Sequence, residues 1–218
     1  MADFGLRLFG STKTAIILLW DALDESLEYI LTRDGAEVYR GTDLSYTDHG
    51  LTSGKTYSYQ LSAGEVSQTI DGTTKTAIEL ITDRTAEDVF EGRPKGWYSA
   101  LDLIRVGEAM LYAQGLLDDF GYSVPLKVKL DWQITDIPTH ALMRRYIDDV
   151  QALRDVVHLL DTTPPAPESA NNLTYTGANS IEQILSDIDE IITAMSKVFI
   201  RANFPWAVSG GPGFYFAN

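Results

Sequence analysis

The sequence predicts a two-part chain: an all-β sandwich over residues 1–82, then a mainly α-helical region over 83–203, closed by an extended aromatic segment over 204–218. Three observations lead there. Short alternating apolar runs, parted by turn residues at intervals of about ten, fill the first third. Helical three-to-four spacing replaces them after Thr82-Asp83. Within the first part lies Leu51-Thr52-Ser53-Gly54-Lys55-Thr56-Tyr57, with a Tyr six positions after a Leu and a glycine turn between them. Such a segment carries a strand from one sheet to the other, with the Tyr ring buried and its hydroxyl bonded back to the turn backbone.

The strands follow in order. Residues 4–9 and 14–20 flank Gly10-Ser11-Thr12, and Trp20 ends the second as a core residue. Glu28 to Thr32 and Glu37 to Tyr39 are joined through Asp34-Gly35, a strong hairpin signal. Ser45-Tyr46-Thr47 precedes the corner, Tyr57 to Leu61 leaves it, and 65–70 and 75–81 complete the set. About seven strands at this spacing make an immunoglobulin-like sandwich. Trp20, Tyr29, the Asp34-Gly35 turn and the Leu51-to-Tyr57 segment together resemble a fibronectin type III domain over roughly residues 5–82, with Ser53 where that turn often carries Pro. The resemblance implies a spacer or recognition module. No Arg-Gly-Asp occurs, so integrin-type adhesion is not implied.

In the second part, Thr85 with Asp88 and Ser99 with Asp102 are capping pairs. They predict helices over about 85–90 and 100–120, the latter with Leu103, Ile104, Gly107, Met110, Leu111, Gln114 and Leu117 on one face and Gly121 as its stop. Pro125 to Trp132 alternates like a short strand or extended connector. Thr139 caps a helix over 139–161, whose stripe runs Leu142, Tyr146, Val150, Leu153, Val157, Leu160. A proline-rich loop precedes a last helix over 180–203, capped by Ser180 with Gln183 and striped by isoleucines from Ile181 to Ile192. Stripes of this kind predict a small helical bundle or a helical hairpin plus one helix, with the apolar faces covered by each other, by another subunit, or by both. Phe204, Trp206, Phe214, Tyr215 and Phe216 lie among glycines and prolines and are expected to be non-helical.

The charge limits the partners. Thirty-one acids against seventeen bases leave a net charge of −14, and both parts are acidic: twelve acids and six bases in residues 1–80, nineteen and eleven in 81–218. Neither duplex nucleic acid nor an anionic membrane surface suits such a chain. With no cysteine, disulfides, thiolate metal sites and cysteine nucleophiles are excluded. The first residues lack a secretion-signal pattern, and no apolar run approaches the ~18 residues of a membrane span.

Little catalytic chemistry is legible. His49, His140 and His158 are too scattered to share a metal. A phosphate-binding glycine loop and Gly-x-Ser-x-Gly are both absent. Asp118-Asp119, Asp148-Asp149 and the Asp187-Ile188-Asp189-Glu190 set read as solvated helix faces rather than acid–base pairs across a cleft. No catalytic, cofactor-binding or metal residue is predicted. The candidate interaction residues are Trp97, Tyr98, Trp132, Phe204, Trp206, Phe214, Tyr215 and Phe216. Trp97, Tyr98 and Trp132 could stack on a sugar, anchor the linker to the helices, or sit in an assembly interface.

Asp83-Arg84-Thr85, Asp102-Leu103-Ile104-Arg105-Val106, Trp132 ahead of Asp136-Ile137-Pro138-Thr139, the Arg144-Arg145 pair and Ala178-Asn179-Ser180-Ile181-Glu182 resemble the helical region of minor structural proteins in tails of phages and prophages of Gram-positive bacteria. Gly107 stands where that pattern carries Glu. The resemblance, over roughly residues 82–218, implies a non-enzymatic tail or baseplate component of a virion. It would be made in the bacterial cytoplasm and would bind other tail proteins and further copies of itself, with a cell-surface glycan or receptor as a further partner; the alternatives are a carbohydrate- or receptor-binding adhesion module and, third, a cell-wall hydrolase.

Overall fold

The computed structural model describes residues 4–23, 27–169 and 173–209, with side chains through residue 197. Its first part is a sandwich of two antiparallel sheets. β1 (Arg7–Ser11), β2 (Ile16–Leu19) and β5 (Ser45–Asp48) form one sheet in the order β1-β2-β5. β3 (Tyr29–Arg33), β4 (Ala36–Gly41), β6 (Thr56–Ala63) and β7 (Val66–Thr73) form the other, in the order β4-β3-β6-β7. β6 shows the cause in its sequence: Tyr57, Tyr59, Leu61 and Ala63 alternate inward while Thr56, Ser58 and Gln60 face out. The β3–β4 hairpin turns on Asp34 and Gly35, at φ 50° and 84°, the positive values its tight turn demands.

The sandwich core is aromatic, while Ala15 and Ile17 of the same part pack into the helical core. Phe4, Trp20, Tyr29, Leu31, Tyr57, Tyr59 and Leu61 are buried together. At the corner, the Thr52 N–H donates to the Tyr57 hydroxyl at 2.8 Å. Arg33 holds Asp48 in a two-oxygen grip at 2.8 and 2.9 Å, and the Tyr59 hydroxyl donates to the same carboxylate at 2.8 Å. Residues 75–81, expected as a further strand, pair with no strand. Their alternation has a different cause, because Ile78 and Leu80 pack onto the helical core.

The second part comprises α1 (Ala86–Phe90), a 3-10 turn (Pro94–Gly96), α2 (Ala100–Asp119), α3 (His140–Val156) and α4 (Tyr175–Ser209). Three of the four predicted caps form: the Asp88 N–H donates to Thr85 Oγ1 at 3.2 Å, Asp102 accepts from the Ser99 N–H at 2.9 Å, and Thr139 Oγ1 accepts from the Leu142 N–H at 3.3 Å. α2, α3 and α4 surround one core containing Ile104, Met110, Leu117, Val150, Ile184 and Ile188. α3 stops at Val156, because Val157 is already extended at φ −112° and ψ 146°; Leu160, expected in the stripe, is 59% exposed.

α4 begins five residues before the expected Ser180 cap. The Thr174 hydroxyl accepts from the Gly177 N–H at 3.1 Å, while Ser180 lies inside the helix and donates to the Thr176 carbonyl. At its other end α4 passes through Phe204, Pro205 and Trp206, where a non-helical segment was expected. A proline forfeits one i→i−4 bond and crowds one carbonyl, a cost of about 3 kcal/mol, and a helix already nucleated far upstream need not nucleate again. Phe214, Tyr215 and Phe216 lie outside the described residues.

Candidate functional site

Ala15 and Ile17 of the sandwich pack into the helical core, two polar ties join the same two parts, and a third anchors the connector to the helices. From α2, the Glu108 carboxylate reaches under the β1–β2 turn and accepts from Thr12 Oγ1 at 2.7 Å, Thr14 Oγ1 at 2.6 Å, and the Thr14 and Lys13 N–H groups at 2.7 and 3.1 Å. Glu108 is only 6% exposed. Its charge is therefore accommodated by four donors from the sandwich.

The second tie is Gln133. Its Oε1 accepts from the Thr47 N–H at 3.1 Å, which turns its Nε2 toward His49 Nε2, also at 3.1 Å. An amide N–H can only donate there, so His49 Nε2 must be unprotonated. Burial, the leading cause, pushes the His49 pKa down and favours that state.

The third tie sits where the connector enters the helices. Arg84, 3% exposed, binds Glu182 at 2.8 Å and Asp102 at 3.1 Å. Arg105 binds the same two carboxylates, and Glu182 also accepts from the Ile81 N–H. Burial opposes the Arg105 charge, but the two carboxylates outweigh it and hold its pKa above the ordinary value. The Arg84 guanidinium stacks 5.4 Å from the Tyr98 ring centroid, and Tyr98 shares a short hydrogen bond with Tyr146. Burial drives both phenols' pKa values up.

This accounting corrects the solvated-face reading at Asp149. It is buried, it accepts from the Lys127 N–H at 3.2 and 3.3 Å, and burial raises its pKa. Asp187 likewise accepts from Gln183 at 2.6 Å and from Thr163, tying the proline loop to α4. Gly107 gains a reason too. A Cβ there would lie 2.8 Å from Leu130 and 2.9 Å from Val128, so the glycine lets the 124–132 connector cross α2 closely. A larger side chain at that position requires Leu130 and Val128 to shift.

The candidate aromatics divide. Trp132 is a core residue, 3% exposed, under the Lys129 ammonium at 4.8 Å from its ring centroid. It therefore offers no stacking face. Tyr98 is committed to Arg84 and Tyr146. Trp97 is free, at 61% exposure, on the wall of an open cleft of about 830 Å³ lined also by Val89, Leu103, Met143, Leu173 and Tyr175. His140 lines it as well. Beside the cleft in sequence stand Phe90, 91% exposed, and Ile137, 86% exposed. No group of three or more His, Cys, Asp or Glu residues able to hold a metal occurs among the described residues. No described helix is long and apolar enough to cross a membrane.

No protein-family profile matches the chain. It is 35% identical over 83 residues to a poly(3-hydroxybutyrate) depolymerase of Ralstonia pickettii, a match covering 35% of this chain and 17% of that enzyme. It is 42% identical over 55 residues to chitinase C of Streptomyces lividans, covering 24% of this chain and 9% of that one. Among solved structures it is similar to a fibronectin type III domain of human fibronectin type III domain containing protein 3, at 22% identity and a TM-score of 0.30, covering 33% of this chain and 83% of that domain. The N-terminal part has a fibronectin type III-like fold. That statement rests on the strand order, the antiparallel registers and the Tyr57 corner.

Proposed function

We propose that this chain is a non-enzymatic structural component of a phage tail or baseplate, in which the sandwich serves as a contact or spacer module and the helical part mounts it on neighbouring subunits. The observation that carries this reading is how its buried charges are used. Glu108, Glu182, Asp102, Arg84 and Asp149 are all engaged in ties between elements, while large apolar side chains at Val89, Phe90, Trp97 and Ile137 stay uncovered. Polar chemistry directed inward and apolar surface directed outward suit an assembly part. Its partners are other tail proteins and further copies of itself, and it needs no cofactor. The test is to purify native particles from a host carrying the gene, probe them for this chain by mass spectrometry, and locate it by immunogold labelling. Absence from every particle fraction overturns the proposal.

A second reading has its own support in the identity shared with two polymer-degrading enzymes. In it the chain is an adhesion module for a polymeric surface, with Trp97 as the stacking face. Co-sedimentation with chitin and with poly(3-hydroxybutyrate) granules, together with a glycan array, tests it. Binding lost in Trp97→Ala supports it, and no binding to any of these rejects it.

A further inference from the structure

We infer that the open cleft at Trp97 receives the aromatic segment Phe214-Tyr215-Phe216 of a second copy, so that copies join head to tail. The inference deepens the assembly reading by naming its homotypic contact.

The cleft is apolar where it matters: Val89, Trp97, Leu103, Met143 and Leu173 line it, and Trp97 is 61% exposed there. The chain carries a matching apolar element in residues 210–218, which hold three consecutive aromatics and no charged residue. The body has a net charge of −14, so two broad faces of this chain repel each other, whereas an uncharged segment approaches the acidic body without that penalty. Aromatic side chains each bury on the order of 150–250 Å² and find favourable edge or offset contacts with other rings.

Reach decides which copy supplies the segment. Tyr175, the first residue of α4, lines the cleft. α4 then runs 35 residues away from it, about 52 Å along the axis. From Ser209, Phe216 lies seven residues on, which spans about 25 Å at full extension. A segment turned straight back would still fall about 27 Å short of its own cleft. A neighbour's cleft has no such restriction. The contact is thus heterologous: it closes into a ring where the rotation between copies permits and otherwise propagates. It falls below the area of a standard interface, so one contact alone is weak, with a Kd on the order of micromolar or above, and a closed ring gains from its repeated contacts.

Two full-length variants test this. Trp97→Ala keeps the aromatic segment and loses the cleft wall; the triple change Phe214→Ala, Tyr215→Ala, Phe216→Ala keeps the cleft and loses the segment. Circular dichroism checks that each variant is folded. Sedimentation velocity over a concentration series should show the native chain self-associating. Each variant alone should weaken this at least tenfold. Mixed together, the two should form a one-to-one complex that grows no further, because one intact cleft meets one intact segment and no second pair remains. A native chain that stays monomeric throughout, association unchanged in either variant, or a mixture that does not pair overturns the inference. Detection of the chain in particles alongside any of those results would leave the assembly reading standing and remove only this contact.

Discussion

The sandwich and the helical part both close around apolar cores but differ in how much charge they bury. The sandwich adds a corner hydrogen bond and a single carboxylate, Asp48, held by Arg33 and Tyr59. The helical part adds a buried set of two arginines and two carboxylates, drawn from the connector, α2 and α4. Apolar packing degrades gradually when trimmed, because each contact is small. A buried ion network fails abruptly when one member leaves, because the remaining charges are stranded. The two parts should therefore answer mutation differently, although Glu108 and Gln133 join them.

The sharpest break of that comparison is Glu182→Ala. It leaves Arg84 and Arg105 facing each other with only Asp102 between them, and should cost about 3–5 kcal/mol. Denaturant unfolding followed at Tyr and Trp should show the helical part melting first while the sandwich transition stays in place. Glu108→Ala comes next. Removing a carboxylate that accepts four hydrogen bonds should cost about 2–3 kcal/mol. Calorimetry should show the sandwich and the helical part melting separately without the marked fall in the helical midpoint expected for Glu182→Ala. Gly107→Ala should cost about 1–2 kcal/mol through overpacking against Val128 and Leu130. The loss should be confined to the helical part.

Tyr57→Phe removes only the acceptor for Thr52 and should cost about 1 kcal/mol, felt in the sandwich alone. The mildest probe is pH. His49 has a folded-state pKa below its ordinary 6.5, so the unfolded chain takes up its proton more readily. Stability contributed at this tie should be full above about 6.5 and decline as pH falls below it. His49→Gln should flatten that part of the stability profile.

Much of the fold was legible because its signals are local. The Asp34-Gly35 turn, the Leu51-to-Tyr57 corner and the Thr85–Asp88 and Ser99–Asp102 caps each lie within a few residues, and each closes as the sequence implies. The ties are another matter. Glu108 meets Thr14 across 94 positions, and Glu182 meets Arg84 across 98. Nothing near Glu182 marks it as buried; on a helix wheel it is one more acid. Residues 75–81 misled for a related reason, since alternation reports that every second side chain is covered and is silent about whether a strand or a helix does the covering. Of the candidate aromatics, exposure alone separates Trp97 from Trp132, and exposure depends on which connector passes overhead.

Glu108 and Gln133 grip the sandwich at two separate points, the β1–β2 turn and the end of β5, and the covalent connector makes a third. Three points of support fix a plane. A tethered module would swivel and absorb a pull on its tip as slack. This one is mounted like a bracket, so torque applied to the sandwich is shared among α2, the segment carrying Gln133 and the connector.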